Sequence, residues 1–139
     1  MNYTSIEQSR KLLELGLDAN TADFHCIDDH YNIPEVIAGF CNGWYEDYKE
    51  SDRDYIPIWS VGALLEVMPE QITYSDFKPF PLGLFKGDKD THSKYGHYWI
   101  QYFDPEHGGA YVQTNGYSPL EAAYNMVVWL LENNYIKKD

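Results

Sequence analysis

Four consecutive pieces decide the fold. They are the run Tyr95-Gly96-His97-Tyr98-Trp99-Ile100-Gln101-Tyr102-Phe103, the turn Asp104-Pro105-Glu106-His107-Gly108-Gly109, the return Ala110-Tyr111-Val112-Gln113-Thr114, and the opening Ser118-Pro119-Leu120-Glu121. The first run is rich in aromatic side chains, which fit a pleated, half-buried surface, so it predicts a strand over 95–103. Asp, Pro and paired Gly close it in a turn, and 110–114 returns as an antiparallel strand. Ser118 then has the character of an N-cap, Pro119 sits at the first helical position, and Glu121 stands at capping-box spacing. Leu120, Ala123, Tyr124, Val127, Leu130 and Leu131 line one face of the helix that follows. Met126, Val128 and Trp129 broaden that face, and Asn133 and Asn134 suit its exit.

Toward the N-terminus, 80–86 reads as the preceding strand, separated from 95 by a polar loop with Gly87, Asp88, Asp90 and Gly96. Ser60 caps a short apolar helix through Val61, Ala63, Leu64, Leu65, Val67 and Met68, which Pro69 ends. A first helix is predicted over 5–15. Thr4 with Glu7 and Ser5 with Gln8 both have capping-box spacing, Ile6, Leu12, Leu13 and Leu17 form its apolar stripe, and Gly16 supplies a left-handed stop. Phe24 to Ile27 suggests a short strand. Over 34–48, Val36, Ile37, Phe40, Cys41, Trp44, Tyr45 and Tyr48 recur with helical periodicity behind Pro34. Gly39 and Gly43 oppose a helix there by about 1 kcal/mol each, which leaves a hairpin or irregular segment as the alternative. The expectation is one α+β domain over 1–139. Its antiparallel sheet of about three strands (80–86, 95–103 and 110–114) packs against N-terminal, central and C-terminal helices.

Composition narrows the function classes. A chain of 139 residues, 44% hydrophobic and 17% aromatic, has the apolar material for a core, which argues against disorder. Ten Lys and Arg face 22 Asp and Glu for a net charge of −12. A basic face for nucleic acid is therefore not expected, nor is attraction to an anionic membrane. Half of that charge falls within 28–54, where eight carboxylates face Lys49 and Arg53. Apolar runs long enough to span a bilayer are missing. The first residues lack the basic start and apolar run of a secretion signal. Cys26 and Cys41 fit no C-x-x-C pattern and read as reduced thiols, so the expected location is cytoplasmic.

Three segments carry a resemblance. They are Thr4 to Gln8 through Gly16-Leu17-Asp18, then Ile56-Pro57-Ile58-Trp59-Ser60 through Val67-Met68-Pro69, and Ser118 through Trp129 to Asn133. Together they resemble a set of small uncharacterised proteins of gut-bacterial genomes and their prophages, over about half of the chain. The resemblance implies a mobile-element setting and assigns no activity, cofactor or catalytic residue. The order of elements, paired strands, a Gly-containing turn, a further strand and a helix opening Ser-Pro-Leu-Glu-Ala-Ala, is similar to the antitoxin domain of the HicB type. This chain lacks the DNA-binding segment that accompanies such a domain.

Candidate chemistry is sparse. His25, Cys26 and His30, with Asp28 and Asp29, form the densest group of metal-ligand types. Their spacing matches no usual zinc pair, and a polar turn after a strand, with Cys26 packed inward, accounts for them; no metal or cofactor is expected. His92, His97 and His107 fall in or beside the hairpins, and His107 with Asp104 has the makings of an acid–base pair. A nucleophile elbow and a Gly-rich phosphate loop are both missing, so no catalytic residue is assigned. Period-two alternation turns Tyr98, Ile100 and Tyr102 toward covering helices and Tyr95, His97, Trp99 and Phe103 to the other face. If helices cover both faces these rings are core. If not, they suit a protein partner or a second copy of the chain. The functional expectation is a small non-catalytic accessory protein that works by protein–protein binding. The alternatives are a small enzyme using a His–carboxylate pair, an acidic mimic of nucleic acid, or an antitoxin-like protein.

Overall fold

In the computed structural model, residues 3–28, 35–38, 54–73, 79–87 and 97–139 are described. The chain divides into two compact units, Met1–Val67 with Lys137–Asp139, and Met68–Ile136. Helices and antiparallel sheets make the fold α+β.

The first unit begins with helix α1, Ile6–Glu14. Of the two capping boxes that the sequence offers, the structure uses Ser5 with Gln8. The Gln8 amide donates to the Ser5 hydroxyl at 3.1 Å and the Ser5 amide to the Gln8 side-chain oxygen at 2.9 Å. Thr4 is thereby left free to turn inward. Its hydroxyl oxygen accepts the Trp59 amide at 3.0 Å and lies 2.8 Å from the Ser9 hydroxyl. Gly16, at φ +99°, makes the left-handed stop after α1, and its carbonyl accepts the Asp139 amide at 2.7 Å.

Strands β1 (Phe24–Asp28), β2 (Glu35–Ala38) and β3 (Asp54–Ile58) form an antiparallel sheet in the order β2-β1-β3. Cys26, Ile56 and Ile58 build its buried core, with Tyr3, Ile6 and Phe24 packed against them. This sheet corrects one expectation and adds a strand that the sequence reading did not place. The helix predicted over 34–48 is contradicted at Glu35–Ala38, which pairs with β1 instead; the remainder of that span lies outside the described residues. Val36 and Ile37 are β-branched and stiff at χ1, so cross-strand pairing overrides a helical periodicity that Gly39 already weakened. Strand β3 escaped notice because Pro57 interrupts it. Proline is tolerated there because β3 is an edge among the described residues, where the missing N–H costs no ladder bond. Helix α2, Val61–Val67, follows Ser60, whose hydroxyl accepts the Ala63 amide at 3.2 Å. Asp23 fixes Ser60 in turn, accepting its amide at 2.9 Å and its hydroxyl proton.

The second unit holds β4 (Gln71–Ile72), β5 (Phe80–Lys86), β6 (Tyr98–Phe103) and β7 (Ala110–Gly116) as one antiparallel sheet in sequence order. It has four strands where about three were expected, because the two-residue β4 adds an edge too short to register as a pattern. Helix α3, Pro119–Glu132, lies against β6 and β7. Ser118 accepts the Glu121 amide at 3.1 Å, as its N-cap position predicts. Leu120, Ala122, Ala123, Met126, Val127, Leu130 and Leu131 are buried, as are Ile100 and Tyr102 on β6. Each of the large side chains contributes about 1.5–3 kcal/mol of burial. Burial holds the Tyr102 phenol well above its ordinary pKa, and it donates to the Pro69 carbonyl at 2.7 Å. The N-terminal helix is grouped with the first sheet, where it lies against β3. Among the described residues, no helix is long and apolar enough to cross a membrane.

Candidate functional site

Strand alternation on β6 sends Ile100 and Tyr102 to the face that α3 covers, so Trp99, Gln101 and Phe103 take the other. Register extends this second face sideways. Phe85 and Gly83 of β5 stand opposite Trp99 and Gln101, and Asn115 and Gln113 of β7 stand opposite the same pair on the other side. The Phe85 and Trp99 rings stack, with centroids 6.0 Å apart and planes 16° from parallel. Gly83 makes room for this arrangement, since a Cβ there would meet the Phe85 ring at 2.7 Å. Phe85 is 42% exposed and Phe103 38% exposed, so the rings are open to a ligand as well as to each other.

At one end of the face, His97 meets Tyr117 edge to face at 6.2 Å, and Tyr117 is 58% exposed. The His97 Nδ1 is buried with no hydrogen-bond partner among the described residues. The Gln113 side-chain amide donates to the Asn115 side-chain oxygen at 3.1 Å, giving the rings a carboxamide border. Trp99, His97 and Phe103 therefore share a face as alternation predicts, and Tyr95 lies outside the described residues. Phe85 and Tyr117 were missed. Their place depends on hairpin register, and the long polar stretch of sequence between 86 and 98 leaves that register open.

Two members of the candidate metal cluster, His25 and Cys26, fall within the described residues. His25 and Cys26 are consecutive in β1 and so point to opposite faces, with Cys26 in the core. Burial lowers the His25 pKa. His30 lies outside the described residues. Among the described residues, no three His, Cys, Asp or Glu side chains gather closely enough to hold a metal ion.

Asp104 and His107 do come together. One Asp104 carboxylate oxygen lies 3.0 Å from His107 Nδ1. The other accepts the backbone amides of Glu106 and His107 at 3.0 and 3.2 Å. Partial burial pushes the Asp104 carboxyl up, but these amides and the imidazole outweigh it and hold its pKa below the usual value. Gly108 and Gly109, at φ +72° and +85°, complete the turn. The His107 side chain is 67% exposed, so the arrangement is that of a carboxylate locking a solvated turn. A hollow in the first unit, lined by Leu13, Leu17, Asp18 and Asp139, measures about 210 Å³, below the range of pockets that enclose a metabolite-sized ligand.

Comparison with protein-family models, with curated proteins and with solved structures returned no match.

Proposed function

We propose that this protein is a non-catalytic, cytoplasmic accessory protein that binds another protein on the outer face of its second sheet. The observation that carries this reading is the parallel Phe85–Trp99 pair, half-open to solvent on the face turned away from α3. Aromatic side chains supply large, rigid contact area at low entropic cost, and they anchor protein interfaces out of proportion to their number. The Gln101, Gln113 and Asn115 amides give the rings a polar border, the arrangement in which an interface excludes water around its anchors. The net charge of −12 favours a basic partner by steering its approach, while the uncharged face keeps desolvation inexpensive.

The test is a photoreactive phenylalanine analogue placed at position 85 of the full chain in its host cells. The reading predicts crosslinks to one discrete protein, with the yield reduced about tenfold or more by Trp99→Ala, the size of effect at an interface anchor. A crosslink pattern no different from that of the same analogue at exposed Lys11 would overturn it.

A further inference from the structure

Among the described residues, the two sheets have four edge strands: β2 and β3 in the first, β4 and β7 in the second. Proteins protect such edges with charge, proline or brevity, because unpaired backbone groups invite another strand. Three of the four are protected in this way. Strand β2 carries Glu35, β3 carries Asp54 and Pro57, and β4 is two residues long. Strand β7, Ala110-Tyr111-Val112-Gln113-Thr114-Asn115-Gly116, is seven residues with neither a charge nor a proline.

The ladder shows which of its backbone groups face outward. The Gly87 amide donates to the His97 carbonyl at 2.7 Å, so His97, Trp99 and Gln101 bond toward β5 and Tyr98, Ile100 and Tyr102 toward β7. Their partners are Gly116, Thr114 and Val112. Gln113 and Asn115 therefore turn their amides and carbonyls away from β6. The Asn125 side chain of α3 caps the Asn115 carbonyl at 3.0 Å, which centres the open groups on Gln113. Among the described residues, no strand pairs with this edge.

We infer that a second copy of this chain pairs antiparallel with β7, making an eight-stranded sheet across a twofold axis at Gln113. Charge selects this occupant. In an isologous pair the residue on the axis meets its own copy, so a charge at position 113 would meet itself, and like charges at 112 and 114 would meet each other. In a chain with 22 carboxylates, the longest edge carries none. A basic extended segment from another protein would instead call for carboxylates along this strand. Centred on Gln113, the pairing sets the two Gln113 side chains opposite each other and Val112 opposite Thr114, and it ends at Tyr111, the extra residue of a bulge in β7. Tyr111 is already held, stacked on Phe80 at 4.7 Å and meeting Trp129 edge to face at 6.4 Å, so little ordering remains to be lost there.

Sedimentation analysis of the full chain over a wide concentration range tests the inference. The parent should form a reversible dimer of twice 16.2 kDa. Gln113→Lys, which sets two like charges face to face, should weaken dimerisation about tenfold or more with an unchanged circular dichroism spectrum. Gln71→Lys makes the same change on the opposite edge strand and should dimerise like the parent. A parent that stays monomeric throughout, or a Gln113→Lys chain that dimerises as tightly as the parent, would overturn it. Should the Lys variant misfold, amide exchange in the parent decides. Protection of the Gln113 amide should rise with protein concentration, and protection independent of concentration would reject the interface.

Discussion

Gly116 illustrates how much one residue can decide. It ends β7 where the chain turns into α3, and a Cβ placed there would lie 2.5 Å from the Ala122 backbone nitrogen and 2.8 Å from the Glu121 Cβ. Neither obstacle is the flexible tip of a side chain, so the helix itself has to move. Gly116→Ala is therefore expected to cost about 1–3 kcal/mol, the range for overpacking a tight contact, read from the urea midpoint. An unchanged midpoint would mean that the start of α3 is looser than this geometry. Gly109, with nothing within 4 Å of its Cβ direction, is demanding only through its positive φ. The sequence shows both glycines and gives no sign of which one is crowded, because the crowding comes from a helix that has yet to pack. Asp104 supports a second expectation. Its pKa is held down by the turn amides and His107, so its stabilising effect is present above the ordinary carboxyl range, near pH 3.9, and is lost as pH falls through the lowered folded value. Carboxyl resonances followed by NMR should place Asp104 below the unfolded value. A midpoint at or above that value would show that the turn does not lock it. The Asp104–His107 pairing was itself readable from the sequence, but its role in holding the turn depends on where the second oxygen points.

Element by element, the parts of the chain with strong local signals came through. Helix α3 starts at Pro119 behind Ser118, α2 lies between Ser60 and Pro69, and β6 buries Ile100 and Tyr102 while Trp99 and Phe103 take the other side. In each, capping chemistry or period-two alternation agrees with the tertiary outcome. Misreadings fall where local and long-range preferences diverge. Glu35–Ala38 joins β1 against its helical spacing, and Asp54–Ile58 forms a strand despite Pro57. No local pattern reports that β1 stands ready to receive both. The same holds for the link between Thr4 and Trp59, which are 55 residues apart. The Thr4 amide donates to the Trp59 carbonyl at 2.9 Å, and the Trp59 amide returns to the Thr4 hydroxyl at 3.0 Å. Trp59 is 0% exposed and its indole N–H donates to the Thr21 hydroxyl at 2.9 Å, so neither of its donors has water to fall back on. Thr4→Val keeps the shape and removes the acceptor, leaving a buried amide unsatisfied at a cost of about 1–3 kcal/mol. A loss of stability below about 0.5 kcal/mol, the scale of an ordinary surface change, would mean the amide finds another acceptor.

For the molecule as a whole, charge and architecture divide unequally. The unit of Met1–Val67 with Lys137–Asp139 carries 14 carboxylates against six Lys and Arg, while Met68–Ile136 carries eight against four. Net charge is thus −8 in the first and −4 in the second, although the two are nearly equal in length. The sequence made the acidity plain; its uneven distribution over two compact units follows from the fold. Self-repulsion opposes compaction most where like charge is densest, and dissolved ions screen it over roughly 10 Å at 0.1 M. Salt should therefore stabilise the first unit more than the second. Native-state amide exchange at about 0.02 M and about 0.3 M sodium chloride measures each unit separately, since core amides report the stability of the element that holds them. Protection in α1 and β1 is expected to rise more than protection in β6 and α3. Equal gains would mean that the two units open as one cooperative body, and a larger gain in β6 and α3 would locate the dominant repulsion in the second unit.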